Sequence, residues 1–290
     1  MNSDEILKVE LQKANAECER LRAENAKLKD QLHGSEVAPQ ETHRPTRTGC
    51  HNNQSVYQPV TASSSPEDKV ALFRSLFRGR DDIYPVRWER NGKSGYSPAG
   101  VREWDRSTQL ANNKKKSFHY TKLFPLTDEV ITDHLLGKHT IGIYPVLQND
   151  TCWFVAADFD KKSWQADALA FLKSCRQEGV PASLERSRSG EGGHVWIFFA
   201  TPIQSALARK LATALLTFTM EHRYAMGLDS YDRLFPSQDT LPKGGFGNLI
   251  ALPLQHDPRE KSNSVFVDDQ FRPFHDSVGL SFFFETFVGR

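Results

Sequence analysis

From about residue 66 the chain alternates short apolar runs with segments whose apolar residues fall three and four apart, the pattern of strands mixed with amphipathic helices. The clearest strand is Trp153-Phe154-Val155-Ala156-Ala157-Asp158-Phe159-Asp160, apolar until it ends on two aspartates. Helices are predicted from Pro66, with Val70, Leu72, Phe73, Leu76 and Phe77 inward, and over 127–136, capped by Thr127. Two more are predicted over 163–178, ended by Gly179, and from Pro202 to about Met226. Further strands are expected at 83–88, 181–186, 195–199 and 249–254, and Gly95-Tyr96-Ser97-Pro98 reads as a turn. Residues 139–147 are expected to form a hairpin with the aspartate strand through Asn149-Asp150. The fold class is α+β.

Ahead of this body the pattern changes twice. Leu7, Ala14, Leu21 and Leu28 recur every seven residues, and Leu11, Cys18, Asn25 and Leu32 fill the alternate seam. Mostly Leu at one seam position and a single Asn at the other is the pattern of a parallel two-stranded coiled coil. Residues 1–33 are therefore predicted to be a coiled-coil helix that makes the protein a homodimer. Residues 34–66 are Pro, Ser, Thr, Gln, His and Asn with few large apolar side chains, so a disordered linker is expected there. Domain boundaries follow at 1–33, 34–66, 67–276 and 277–290.

Composition narrows the function classes. A chain of 290 residues with 38% hydrophobic content can bury one sizeable core or two small ones. Its net charge of +1 offers no global field for nucleic acid, so any basic surface is local. Asn112-Asn113-Lys114-Lys115-Lys116 is one such run and reads as a solvated loop. Cys18, Cys50, Cys152 and Cys175 have no paired spacing, which argues against a zinc site or a disulfide framework and fits a reducing cytoplasm. No signal peptide or spanning apolar run is evident, so no membrane partner is expected.

The chemistry gathers at the end of the aspartate strand. Residues i and i+2 of a strand share a face, so Asp158 and Asp160 stand side by side. Two such carboxylates repel unless a cation sits between them, and Mg²⁺ or Mn²⁺ prefers oxygen ligands of this kind. An acidic strand end turning into solvent is the plainer alternative. Downstream, Ser187-Arg188-Ser189-Gly190-Glu191-Gly192-Gly193-His194 lies between two strands. Its small residues let a ligand approach the backbone, and Arg188, Ser189 and His194 offer donors to phosphate oxygens. A further carboxylate follows near Ser230–Asp239, and Lys243-Gly244-Gly245-Phe246-Gly247-Asn248 is a second glycine-rich loop.

The order Asp-x-Asp, Ser…His, then a later Asp resembles the archaeo-eukaryotic primase superfamily. Phe77-Arg78-Gly79-Arg80, His134-Leu135-Leu136-Gly137, Ala157-Asp158-Phe159-Asp160 and Ser189-Gly190-Glu191-Gly192-Gly193-His194 are similar to the primase domain of TOTE conflict systems. So are Asp232-Arg233-Leu234-Phe235-Pro236-Ser237-Gln238-Asp239 and Gly247-Asn248-Leu249-Ile250-Ala251-Leu252-Pro253. The resemblance implies an archaeo-eukaryotic primase-like core, an N-terminal α/β module plus an RRM-like antiparallel sheet, with the active site between them. It implies that Asp158, Asp160 and Asp232 hold two divalent metals, Mg²⁺ or Mn²⁺, with Asp239 the competitor for the third place. Ser189 and His194 would contact nucleotide phosphates, with Arg188 and Arg186 adding charge. The implied activity is template-dependent nucleotidyl transfer, a primase-polymerase acting on template, primer and nucleoside triphosphates. The alternatives are a metal-dependent nuclease or phosphotransferase, and an inactive coiled-coil nucleic-acid-binding subunit.

Many relatives carry paired cysteines between the Gly-Tyr-Ser-Pro and His-Leu-Leu-Gly segments, and here that stretch, Arg106 to Lys122, has none. They also continue after Phe-His-Asp with Gln-Trp-Ala-Phe and often a helicase. Here Ser277-Val278-Gly279-Leu280-Ser281-Phe282-Phe283 follows, which one possible encoding of that continuation would give if read in a shifted frame, so a frameshift just after Asp276 is the hypothesis. Residues 277–290 are therefore expected to be a non-native tail, with a helicase or nuclease partner lost or encoded separately.

Overall fold

The computed structural model describes residues 60–61, 63–104, 118–222 and 228–274, all within one structural unit, Tyr57–Arg290. The expected coiled coil, nearly all of the expected linker, the expected 112–116 loop and the expected 277–290 tail lie outside the described residues. Helix α1 (Pro66–Leu76) opens on Ser65, whose Oγ accepts the Asp68 N–H at 3.1 Å. Two antiparallel ribbons follow, β1 (Pro85–Arg90) with β2 (Lys93–Pro98) and β3 (Gly100–Trp104) with β4 (Phe118–Leu123). Then come α2 (Asp128–Leu135), capped by Thr127, and the short β5 (Gly142–Ile143).

Strand β6 (Thr151–Asp160) runs through a five-stranded antiparallel sheet. It lies between β8 (Gly192–Gln204) and β9 (Tyr231–Phe235), with β7 (Ser183–Arg186) beyond β8 and β11 (Val265–Val267) at the far edge. Phe154 and Ala156 face one core with Trp196, Phe235 and residues such as Phe73 of α1 and Ile131 of α2. Val155, Ala157 and Phe159 face a second core, built with Phe171 of α3 (Trp164–Gln177) and Ala212 of α4 (Ser205–Glu221). A sheet covered on both faces wants apolar residues at every position, so the run from 153 to 157 does not alternate. Among the described residues no helix is long and apolar enough to cross a membrane.

The expected class holds as a mixed α/β fold with antiparallel sheets, and several local expectations give way. Gly95–Pro98 is not a turn but most of β2. The chain reverses instead at Asn91-Gly92, with φ of 52° and 71°, the two-residue Asn-Gly loop that suits a twisted hairpin. The chain does turn at 148–150, where Leu147 N–H donates to the Thr151 carbonyl at 2.8 Å, but beyond that bond the 139–147 segment forms no ladder with β6. Its only strand, β5, pairs with β10 (Ile250–Ala251), and Pro145, having no N–H, cannot extend a ladder toward β6. Thr201-Pro202-Ile203-Gln204 continues β8, where Ile203 and Gln204 pair with Cys152 and Thr151, so helix α4 starts only at Ser205. The 249–254 strand shrinks to Ile250–Ala251, and the edge strand β11 went unforeseen. A short helix, α5 (His256–Glu260), stands between them.

Candidate active site

Asp158 and Asp160 leave β6 on the face of Phe154 and Ala156, and Asp158 pairs across the sheet with His194 of β8 and Arg233 of β9. Gly192 lies opposite Asp160, and a Cβ there would come within 2.4 Å of Asp160 Oδ1, so only glycine fits beneath that carboxylate. Asp232 joins them through a β-bulge. Asp158 pairs with Arg233 and Phe159 with Tyr231, which leaves Asp232 without a partner. In an unbroken strand Tyr231 and Phe235 would share a face, yet they pack on opposite cores. The extra residue makes that switch and turns Asp232 toward Asp158.

Asp158, Asp160 and Asp232 each offer an oxygen within 4.8 Å of the others, the one such grouping of possible metal ligands among the described residues. Asp158 is only 13% exposed. Burial, and then the charges of Asp160 and Asp232, push its carboxyl up to about 6, against the pull of His194. Three hard oxygen donors fit Mg²⁺ or Mn²⁺. Arg233, whose Nε donates to Asp232 Oδ2 at 2.6 Å, and His194 beside Asp158 are cations already at the cluster.

A buried clamp holds the bulge in place. Asp167 Oδ2, in the first turn of α3, accepts hydrogen bonds from Ser230 N–H (3.1 Å), Ser230 Oγ (2.5 Å) and Ser163 Oγ (2.9 Å). The Ser230 carbonyl in turn accepts the Asp160 N–H at 2.7 Å. One serine thus ties the backbone of the second aspartate to the approach of the third. Asp167→Ala is expected to cost about 3 kcal/mol by stranding buried donors. It should also weaken divalent-cation binding measured by calorimetry. Unchanged cation binding would reduce the clamp to a purely structural role.

His194 bridges two carboxylates. Its Nε2 lies 3.6 Å from Asp158 Oδ1, and its Nδ1 donates to Glu185 Oε2 at 2.8 Å. The same Glu185 oxygen accepts Trp196 Nε1–H at 3.0 Å. Burial alone would depress the imidazole, but Glu185, Asp158 and Asp160 outweigh it and push it up to about 9. His194 is therefore a held cation beside the acidic cluster. Glu185 was missed from sequence because a lone Glu in a short strand carries no motif. Its signal was the register that sets it opposite His194.

Arg188 and Ser189 sit exposed on the β7–β8 turn. Ser189 Oγ accepts the Glu191 N–H at 3.2 Å, and Arg188 reaches Glu89 of the β1–β2 ribbon at 3.5 Å. Arg186 turns elsewhere, donating to the carbonyls of Ser262 and Phe271 as a structural tie. Asp239 is paired with Arg209 of α4 and is not in the acidic group, so Asp232 is the third carboxylate of the cluster.

The family model of the TOTE conflict system archaeo-eukaryotic primase domain matches residues 68–281. The chain belongs to this family. That places the domain among primase-type nucleotidyltransferases, with the acidic cluster and His194 inside the matched segment. Comparison with the curated proteins gives no match. Among solved structures, this primase domain is similar to the polymerase domain from Mycobacterium tuberculosis ligase D in complex with DNA. The identity is 15% and the TM-score 0.34, over 56% of this chain and 61% of that one. The chain thus spans about three-fifths of the length of the structure it matches.

Proposed function

We propose that this chain is a template-dependent primase-polymerase, joining a nucleoside triphosphate to a 3′-hydroxyl with release of pyrophosphate. The observation that carries the reading is the convergence of Asp158, Asp160 and Asp232 within 4.8 Å in a chain of the primase family. In this reading those carboxylates hold two divalent cations, Mg²⁺ or Mn²⁺. When bound, such cations neutralise charge on the attacking and leaving oxygens. The protonated His194 offers Nε2–H to the triphosphate, held to that task by Glu185. Arg188 and Ser189, on the turn of the same hairpin, add a cation and a hydroxyl donor. The five-stranded sheet with α3 and α4 serves as the RRM-like half, and the elements before it serve as the N-terminal module.

The test is incorporation of labelled nucleotide on a primed template, with deoxy- and ribonucleotides and with each metal. Product longer than the primer is expected. Shortened primer would favour a nuclease, and no change with any metal would sink the reading. In this reading the protein works in the cytoplasm, in keeping with the buried free thiols of Cys152 and Cys175, and two chains pair through residues 4–32. Deleting residues 1–62 should then halve the mass seen by light scattering without loss of activity per site. An unchanged mass would exclude that dimer.

A further inference from the structure

The β1–β2 ribbon carries a surface that the site itself does not use. One face turns toward the catalytic hairpin, with Glu89 3.5 Å from Arg188. On the other face Trp88 stands opposite Gly95, and Arg90 stands opposite Lys93. Trp88 is 42% exposed. A Cβ on Gly95 would fall 2.8 Å from the indole Cζ2, so the ring lies over the facing strand and only glycine leaves room for it. Arg90 and Lys93 close the tip beside the Asn91-Gly92 turn, and neither has an ion pair among the described residues.

Two features of this face work against the isolated ribbon. Like charges directly opposite each other destabilise a strand pair, and an exposed indole leaves apolar surface in water. An anion explains the first, and a flat aromatic partner explains the second. A single-stranded nucleic acid supplies both at once, through its phosphates and its unpaired bases. On this face Trp88 has Gly95 opposite it, Arg90 and Lys93 toward the tip, and Val86 with Ser97 toward the body, where Val86 packs on the core. The exposed end is therefore cationic, which suits a polyanion better than an apolar protein partner.

We infer that the outer face of the β1–β2 ribbon binds a single-stranded segment of nucleic acid, one base stacking on Trp88 and phosphates lying against Arg90 and Lys93. The inference rests on the nucleotidyl-transfer reading and names a place where an unpaired strand is held beside that site. Its test is the anisotropy of a labelled single-stranded oligonucleotide titrated with the full chain over a range of salt. Trp88→Ala is expected to weaken binding roughly tenfold, within the range for loss of one stacked base, and Trp88→Phe to restore most of it. Replacing Arg90 and Lys93 together with serine should reduce the slope of log affinity against log salt by about 1.4, at ~0.7 per phosphate. Unchanged affinity with Trp88→Ala and an unchanged slope in the double variant overturn the proposal. An equal loss for blunt duplex overturns it too, because stacking needs an unpaired base. Binding through Trp88 without any primer extension leaves the ribbon assigned and sinks the polymerase reading instead.

Discussion

Asp158→Ala is expected to lower nucleotide incorporation at least roughly a thousandfold, the scale of removing an electrostatic element aimed at the reacting charge. The same position should make the metal-free protein more stable when its charge is removed. Burial first, and Asp160 and Asp232 next, raise the Asp158 carboxyl from 3.8 to about 6. A carboxyl whose folded pKa lies above its unfolded value binds its proton more tightly in the native state. Its ionisation therefore opposes folding above pH 6, and the penalty fades as pH falls from there toward 3.8. The shift corresponds to a penalty on the order of 3 kcal/mol at full ionisation. Asp158→Asn, which keeps the shape, should accordingly raise the melting temperature of the metal-free protein by several degrees in mild alkali and by little in acid. Saturating Mg²⁺ or Mn²⁺ should reverse the order, stabilising the native protein and not the variant. Near-normal extension by Asp158→Ala, or an equal melting response to metal, would sink the assignment.

The parts of this site that were legible in sequence are those set by one strand's own geometry. Asp158 and Asp160 share a face because they are two residues apart, and His194 enters its strand just after the glycines that let it approach. Asp232 was legible only as one of two candidates. Its place depends on a bulge opposite Phe159, and the exclusion of Asp239 depends on Arg209 from another helix. Neither is written in local spacing. Asp167 and Glu185 were silent for the same reason, since each acts on residues 63 and 9 positions away through packing that only the assembled sheet creates. The β1–β2 ribbon shows the reverse error. Glycine and proline at 95 and 98 suggest a turn, whereas Gly95 makes room for Trp88 and the Asn91-Gly92 pair is the real turn signal.

Glu185→Gln is expected to act through His194. Burial, the largest influence on that imidazole, disfavours its charged form, and the Glu185 carboxylate at 2.8 Å does most to overcome it. With the carboxylate replaced by an amide, burial gains ground and His194 loses its proton at a lower pH. The KM for nucleoside triphosphate should rise roughly tenfold to a hundredfold, the worth of one charge-assisted hydrogen bond. The turnover number should change less, because the three aspartates are untouched. Stability carries a second signature in the metal-free protein. A histidine raised from 6.5 to about 9 on folding contributes stability that is full below pH 6.5 and lost as pH rises through about 9. Glu185→Gln should flatten the pH dependence of the melting temperature in that window. Glu185→Ala goes further, since it strands the Nδ1–H of His194 and the Nε1–H of Trp196, at about 1–3 kcal/mol for each buried donor. Steady-state kinetics and an NMR titration of the His194 ring read both effects. A variant that keeps the native KM and the native alkaline limb would show that Glu185 neither charges nor orients His194.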